Sequence, residues 1–237
     1  MLQTTDLKNL SKTFDQSILR PETVLNEEIE KIAKDAITCN FRGVVVHPCN
    51  IELLKSILKD SSVLAVSVCD FPHGKDLTKS RVKDVKEILK LGADEIDIVA
   101  NYQYLLEEDF RNFKKDLKAV TKEMENKILK IILEVDYLSE KLLKSAVQII
   151  CKIANEENSK LIIKTKTGFA ENKISNINAV SLIKKTLESL NQYGEDKIRI
   201  KASGGIKSKE EAAELLKTGA HILGVSKGKE ILSPQLS

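Results

Sequence analysis

Residues 161–168 read LIIKTKTG, and residues 198–205 read IRIKASGG. Each segment is a short, largely apolar run that ends in a lysine and continues at once into small residues, hydroxyl residues and glycine. Short apolar runs of this kind are typical of strands that are buried on both faces of a parallel sheet. The two segments therefore predict two buried strands, with Lys164 and Lys201 at their carboxyl ends.

Apolar runs and amphipathic helical stretches alternate along the rest of the chain. Eight strands are predicted near residues 14–19, 43–47, 63–69, 94–100, 128–135, 160–165, 198–202 and 221–226. Helices are predicted over residues 29–37, 50–59, 82–89, 107–125, 139–157, 173–190 and 208–218, where apolar residues recur with helical spacing. Ser208 and Glu211 form a capping box at the start of the last helix, and Gly219 stands where it should end.

Eight strands separated by helices in 237 residues predict an α/β fold of the (β/α)8 TIM-barrel type, with residues 1–237 as a single domain. The active site of such a barrel lies at the carboxyl ends of its strands. A doubly wound sheet is the alternative, but it needs a Gly-x-Gly-x-x-Gly phosphate turn after the first strand. Residues 20–23 read RPET, which is unlike that turn and favours the barrel.

Composition and charge argue against several classes of function. The net charge of +3 comes from 38 basic and 35 acidic residues spread along the chain, so nucleic acid is not expected as a partner. The four cysteines are widely spaced and only three histidines accompany them, so no metal site is expected and the thiols should be reduced. No uncharged run approaches the roughly 18 residues that span a bilayer, and the amino terminus lacks a leader pattern. We therefore expect a soluble cytoplasmic protein without a membrane partner.

Lys164 and Lys201 are the strongest candidates for chemistry. They end the sixth and seventh predicted strands, which are neighbours in a barrel, so their amines should approach each other. A lone lysine at a strand end more often extends its ammonium group to water. Two such lysines on adjacent strands favour a site in which burial and a second cation make one amine neutral near pH 7. A neutral amine can form a Schiff base with a carbonyl.

Two carboxylates could serve these lysines. Asp97 lies in the segment GADEIDIV at residues 92–99 and shares a strand face with Glu95 and Val99. A carboxylate on an inward face is costly without a partner, so Asp97 is either a structural ion-pair residue or a proton carrier for the lysines. Asp15, on the first strand, has the same two interpretations.

Glycine turns after the last three strands predict a phosphate site, because barrel enzymes often bind phosphate after the seventh and eighth strands. Lys166 lies on the same face as Lys164 but one step further out, so it should also meet the phosphate. The candidate contacts are Lys166, Thr167, Gly168, Gly204, Gly205, Gly224, Ser226 and Lys227.

Together these segments resemble the deoxyribose-phosphate aldolase family, from about Asp15 to Gly228. KTKTG from Lys164 resembles the family's KTSTG, residues 201–206 match a KASGGI-type segment, and residues 92–97 match its GADE-hydrophobic-D segment. Weaker matches are DQSIL at residues 15–19 to Asp-His-Thr-Leu-Leu, FPHG at 71–74 to Phe-Pro-x-Gly, and GVSKG at 224–228 to Gly-x-Ser-Ser-Gly.

The resemblance implies a class I aldolase without metal or other cofactor. It implies cleavage of 2-deoxy-D-ribose 5-phosphate to acetaldehyde and D-glyceraldehyde 3-phosphate, with small phosphorylated sugars and aldehydes as substrates. Lys164 would be the nucleophile, Lys201 the cation that lowers its pKa, Asp97 a general acid/base acting through water, and Asp15 the residue that orients Lys201. A homo-oligomer, dimer or larger, is common in the family.

The sequence also departs from the family's pattern. Lys166 and Lys227 stand where the family has Ser, Val45 where many members have Cys, and residues 134–136 read EVD where the family has Glu-Thr. Two added lysines would suit a bulkier or more anionic phosphate ester. Two alternatives therefore stay open: a related class I aldolase on another phosphorylated aldol, and a catalytically silent barrel that binds a sugar phosphate.

Overall fold

Eight parallel strands, paired in chain order, close into a barrel in a computed structural model that describes residues 10–233. β8 pairs with β1 and completes the ring, with Leu223 opposite Phe14. The strands are β1 Phe14–Ser17, β2 Gly43–Val46, β3 Leu64–Cys69, β4 Glu95–Val99, β5 Ile128–Ile132, β6 Leu161–Lys164, β7 Arg199–Ser203 and β8 Ile222–Val225. The prediction of a TIM barrel is confirmed.

Helices on the outside connect these strands. They are α1 Asn26–Cys39, α2 Ile51–Leu58, α3 Thr78–Lys90, α4 Tyr102–Leu106, α5 Phe110–Thr121, α6 Glu140–Glu157, α7 Asn176–Ser189, α8 Lys209–Thr218 and α9 Gly228–Leu232. Short 3-10 helices lie at Pro48–Asn50, Lys122–Met124 and Val135–Tyr137. Among residues 10–233, no helix has the length and apolar character needed to cross a membrane.

Two predicted elements differ from those observed, each for a local backbone reason. The helix predicted over 107–125 begins later, because Glu108 has a left-handed φ of 53° and the Asp109 side chain accepts a hydrogen bond from the Asn112 N–H, which caps α5. The strand predicted over 128–135 ends at Ile132, because Glu134 also adopts a left-handed conformation, with a φ of 47°. The short helices α4 and α9 contain five residues each, too few to show a helical period.

The Ser208 cap is observed in part. The Ser208 hydroxyl accepts a hydrogen bond from the Glu211 N–H, as in a capping box, and α8 ends at Gly219 as predicted. The Glu211 carboxylate, however, accepts from the N–H of Lys207 and not from that of Ser208. The hydrogen bond to the Glu211 carboxylate therefore comes from the residue before the one that a capping box requires.

The interior of the barrel is divided between apolar and charged side chains. Val45, Val66 and Val68 form a small inner cluster on β2 and β3, separate from the main core that packs between the strands and the helices. On β1 and on β4 to β7, the inward positions instead carry charged residues. Burying charge is costly unless each group has a partner. Each of these charged residues should therefore contact a partner of opposite charge inside the barrel.

Candidate active site

Six charged side chains alternate in sign around a closed ring of ion pairs inside the barrel. In order around the ring they are Arg42, Asp15, Lys201, Asp97, Lys130 and Glu95. We call this set the charge ring. Each of its carboxylates contacts at least two of its cations, with Lys130 also 3.7 Å from Asp15, and the three positive charges balance the three negative ones. All six are buried except Arg42, whose side chain is 13% exposed.

Lys164 is a seventh charged group and is attached to this ring at one point. Its Nζ lies 2.9 Å from Asp97 Oδ2, and Lys201 Nζ lies 2.9 Å from the same oxygen. The strand register produces this arrangement, because Lys164 is paired with Lys201 and Asp97 with Lys130 on adjacent parallel strands. The structure thus brings together the two lysines and the carboxylate that the sequence singled out.

Asp15 also lies where the sequence analysis expected it to act. Its Oδ2 accepts a hydrogen bond of 2.6 Å from Lys201 Nζ, while its Oδ1 accepts one of 2.9 Å from Arg42. A carboxylate held at both oxygens cannot rotate, so it fixes the position of the Lys201 ammonium group. The contact supports the orienting role that the resemblance implies.

Sequence reasoning missed three members of the ring as functional residues. Lys130 Nζ lies 2.6 Å from Glu95 Oε2 and 2.8 Å from Asp97 Oδ1, and Arg42 lies 2.5 Å from Glu95 Oε1. One signal was available for Lys130: it lies inside the apolar run ILKII at residues 128–132, much as Lys164 and Lys201 lie at the ends of theirs. Arg42 lies just before β2 and offers no comparable signal.

The balance of charges identifies Lys164 as the amine that loses its proton most easily. Each cation of the ring contacts at least two carboxylates, whereas Lys164 contacts one carboxylate oxygen and shares it with Lys201. Burial, the largest cause, together with the neighbouring cations Lys201 and Lys130, lowers the pKa of Lys164 from 10.5 to about 8, although Asp97 opposes the shift. Burial alone would also lower the pKa of Lys130, yet Asp97 and Glu95 raise it above its ordinary value.

The carboxylates stay ionised. Burial alone would raise the pKa of Asp97, but Lys130, Lys164 and Lys201 together lower it well below its ordinary value. Asp97 is thus an ionised carboxylate that lies 2.9 Å from each of two amines.

The Phe71 ring lies over the Lys164 amine, and Phe169 packs against Phe71. Lys164 Nζ lies 5.9 Å from the centre of the Phe71 ring, and the Phe169 ring meets Phe71 edge to face at 5.4 Å. Lys164 is only 3% exposed. The rings help to keep water from the amine, and burial of this kind favours its neutral form.

The glycine turns after β6 and β7 lie against each other. Gly168, Gly204 and Gly205 all have left-handed φ values, of 91°, 92° and 74°, and a Cβ added to Gly168 would lie 3.6 Å from the Gly204 Cα. Backbone turns of this kind can present N–H groups to an anion. After β8, Ser226 and Lys227 are exposed at the start of α9.

Gly224 has a packing role inside β8. A Cβ at this position would lie 2.8 Å from the Ser203 Cβ and 3.3 Å from the Lys201 Cε. Glycine therefore leaves the space that the buried Lys201 side chain requires.

The contact predicted between Lys166 and a phosphate stays a prediction, and the bonds that the Lys166 amine makes argue against it. Lys166 is 1% exposed, and its Nζ donates to Asp136 and, at 3.2 Å and 2.9 Å, to the Asn172 side chain and the Ile174 carbonyl. An ammonium group has three N–H donors, and all three are used. The salt bridge to Asp136 measures 2.7 Å, so two departures from the family's pattern, at positions 136 and 166, pair with each other.

Thr167 also has its donors engaged. Its hydroxyl and its N–H both donate to the Glu134 carboxylate, and its oxygen accepts from the Phe169 N–H. The predicted phosphate contact through Thr167 thus lacks a free donor. Burial raises the pKa of Glu134, although its hydrogen bonds from Thr167 oppose the shift.

Residues 10–233 contain no group of three or more His, Cys, Asp or Glu side chains placed to hold a metal ion. The cysteines Cys39, Cys49, Cys69 and Cys151 are free thiols.

Comparison with known proteins places this site in a family. The family model described as "DeoC/LacD family aldolase" matches residues 2–233. A deoxyribose-phosphate aldolase of Finegoldia magna is 35% identical over 223 residues, which cover 94% of this chain and 98% of that protein. One of Mycoplasmoides pirum is 35% identical over 235 residues, covering 97% and 99%.

A solved structure gives the same result. The structure titled "QR15, an Aldolase" is 31% identical, covers 94% of each chain and superposes with a TM-score of 0.84. The match of fold and sequence extends over almost the whole chain, including every strand that supplies a charged group to the interior. The chain therefore belongs to the DeoC/LacD aldolase family.

Proposed function

We propose that this protein is a class I aldolase that cleaves 2-deoxy-D-ribose 5-phosphate to acetaldehyde and D-glyceraldehyde 3-phosphate through a Schiff base on Lys164. One observation carries the proposal: Lys164 is the extra cation beside a balanced charge ring, and its pKa falls to about 8. The names of the relatives from Finegoldia magna and Mycoplasmoides pirum support the substrate.

The proposed reaction begins with the neutral form of the Lys164 amine. The neutral Lys164 amine attacks C1 of the open-chain aldehyde, and the carbinolamine loses water to give an iminium ion. The iminium draws electrons from the C2–C3 bond as the C3 hydroxyl loses its proton, which releases D-glyceraldehyde 3-phosphate and leaves an enamine. Protonation of the enamine at C2 and hydrolysis then release acetaldehyde and restore the amine.

The negative charge beside Lys164 stabilises both its protonated form and the iminium ion. The iminium carries the same positive charge as a protonated Lys164, and Asp97 Oδ2 lies 2.9 Å from that nitrogen, so the carboxylate stabilises both. Asp97 is ionised and accepts protons through water, and Lys201 donates a hydrogen bond to the same oxygen that Lys164 contacts. All three groups stay in one hydrogen-bonded unit throughout.

The pH dependence of the rate tests the state of the amine. With a pKa of about 8, about a tenth of Lys164 is neutral at pH 7 and nearly all of it at pH 9. Initial rates of aldehyde release, measured from about pH 6 to about pH 10, should therefore rise and level off with a midpoint near 8. A midpoint near the ordinary lysine value, above about 10, would contradict an activated amine.

The identity of the substrate is tested by comparing several phosphorylated compounds. Purified protein is assayed for aldehyde release from deoxyribose 5-phosphate beside several other phosphorylated aldols. Preference for another ester would favour the related-aldolase alternative. Absence of turnover and of any reduced adduct would favour the silent barrel, which is the weaker alternative because Asp97, Lys164 and Lys201 are all present and in contact.

We propose that the phosphate lies between the glycine turns after β6 and β7 and the start of α9. The proposal is supported by Gly168, Gly204 and Gly205, whose left-handed turns can present N–H groups to an anion, and by Lys227, which is exposed after β8. With Lys166 and Thr167 committed elsewhere, Lys227 is the remaining candidate for a charged contact among the lysines considered for this role.

A Lys227→Ser variant should raise KM for deoxyribose 5-phosphate by about three- to tenfold and leave turnover of unphosphorylated deoxyribose unchanged. A well-formed charged contact is worth about 1.5–3 kcal/mol, and exposure reduces it. Lys229→Ser is the matched control, because Lys229 is also exposed but pairs with Asp35 at 2.6 Å. Equal effects on the two substrates would remove Lys227 from the phosphate site.

We also infer a homo-oligomer, dimer or larger, from the resemblance to the family. Size-exclusion chromatography with light scattering measures the mass of the assembly directly. A monomer of 26.5 kDa would contradict the inference.

A further inference from the structure

Arg42 closes the charge ring at the end of the barrel that lies opposite the substrate. It immediately precedes β2, so it enters the interior from the amino ends of the strands, whereas Lys164 and the glycine turns lie at the carboxyl ends. Its guanidinium group lies 2.9 Å from Asp15 Oδ1 and 2.5 Å from Glu95 Oε1. A guanidinium group is well suited to join two carboxylates in a fixed geometry.

A continuous chain of contacts leads from Arg42 to the nucleophile. Asp15 binds Arg42 with one oxygen and Lys201 with the other, at 2.9 Å and 2.6 Å. Lys201 in turn shares Asp97 Oδ2 with Lys164, at 2.9 Å for each amine. A second route runs through Glu95 and Lys130 to the other oxygen of Asp97.

Gly43 gives independent evidence that the backbone accommodates this contact. A Cβ at position 43 would lie 3.3 Å from Asp15 Oδ1, the oxygen that binds Arg42, and 3.1 Å from the Leu64 carbonyl oxygen. Both approaches are tighter than ordinary van der Waals contact. Glycine at this position therefore leaves Asp15 free to face Arg42.

The charge balance shows what Arg42 contributes. With Arg42 present, the ring is balanced without Lys164, so a proton on Lys164 adds an uncompensated positive charge. Without Arg42, three carboxylates would face Lys130, Lys201 and Lys164, and a charged Lys164 would complete the balance. Removing a distant cation should therefore make the nucleophile hold its proton more tightly.

We propose that Arg42 is a positioning residue that makes it easier for the Lys164 ammonium group to lose its proton, by holding Asp15 and Glu95 in the charge ring. The proposal rests on the proposed Schiff-base function. The charged groups that face Lys164 are Asp97 on β4, Lys130 on β5 and Lys201 on β7. Those that face Arg42 are Asp15 on β1, Glu95 on β4 and Lys130 on β5.

The test compares Arg42→Gln, which removes the charge, with Arg42→Lys, which retains it. In Arg42→Gln the midpoint of the rate-versus-pH curve should move up by about one unit, so the rate at pH 7 falls about tenfold and recovers at high pH. Arg42→Lys should keep the midpoint of the unmodified protein. A purely structural Arg42 would change the melting temperature but not this midpoint.

Lys55→Gln is the matched control. Lys55 lies on α2 and pairs at 2.6 Å with Asp94, which immediately precedes β4. Lys55→Gln therefore removes a cation near the same end of the barrel without removing any contact of the charge ring. Its midpoint should not move. An unshifted Arg42→Gln midpoint, or an equal shift in Arg42→Lys, would overturn the proposal.

A second measurement separates this proposal from the proposed function. Competitive labelling with acetic anhydride, followed by mass spectrometry of the Lys164 peptide, reports the fraction of neutral amine at each pH without any turnover. If no substrate is cleaved, the labelling midpoint still decides the role of Arg42. If Arg42→Gln does not fold, Glu95→Gln tests the same balance with the opposite sign, and its midpoint should move to lower pH.

Discussion

A Lys164→Met protein is expected to lose about four powers of ten in kcat/KM for aldol cleavage, or about 5.5 kcal/mol of transition-state stabilisation. The physical reason is the loss of the covalent route, because the amine that forms the iminium is gone. The fold should persist, since methionine is of similar length and the charge ring is balanced without Lys164. Aldehyde release and the melting temperature measure the two effects separately.

Trapping the covalent intermediate identifies the nucleophilic lysine directly. Borohydride added with acetaldehyde should leave a reduced adduct on Lys164 in the unmodified protein and none in Lys164→Met. Lys166→Met is the matched control, because Lys166 lies two residues away but its amine is committed to Asp136 and the segment that follows β6. Its adduct should still be found on Lys164. An adduct on Lys166 or Lys201 would reassign the nucleophile.

The sequence predicted the barrel because its information is local. Each strand is a short apolar run, and each long helix repeats with its own period, so the pattern is visible without knowledge of tertiary contacts. The two strand-end lysines were visible for the same reason. The boundary of β5 was missed because it depends on the left-handed backbone of Glu134, a non-glycine residue for which the apolar pattern gives no warning.

The partners of the site residues were not predictable in the same way. Asp15 and Lys201 are 186 residues apart in sequence, and Arg42 and Glu95 are 53 apart. Only closure of the barrel brings them together. Lys166 is a further example: its position two residues after Lys164 suggested a phosphate contact, but a carboxylate 30 residues earlier binds its amine.

The ring also changes the interpretation of Lys201. The sequence suggested a single neighbouring cation that lowers the pKa of the nucleophile. In the structure Lys201 is one of three ring cations, and Lys130, which is fully buried, acts on the same carboxylate from its other oxygen. The lowered pKa of Lys164 therefore reflects its burial first and the charges of the network second, and each member of the network can be tested by the sign of the shift it causes.

A Lys201→Leu protein should show the second largest loss of rate, together with a shift of the pH profile to the alkaline side. Removing Lys201 opens the ring and leaves Asp97 Oδ2 to Lys164 alone, so the charged form of Lys164 gains an unshared partner and loses a neighbouring cation. Its pKa, about 8 in the intact network, should rise by about two units, and the neutral fraction at pH 7 should fall about a hundredfold. Loss of Lys201 from the proton transfers lowers the rate at high pH as well.

An Asp97→Asn protein provides the control of opposite sign. Without the carboxylate, Lys164 keeps the neighbouring cations and loses the anion that opposes their effect, so its pKa should fall and the profile should move to the acid side. Schiff-base formation should therefore persist, while the proton transfers that need Asp97 become slow. Rate-versus-pH curves and borohydride trapping, measured on both variants, distinguish the two causes. If Lys201→Leu retains near-normal activity at pH 7, or if both profiles move in the same direction, Lys164 does not owe its neutral amine to the balance of charges around it.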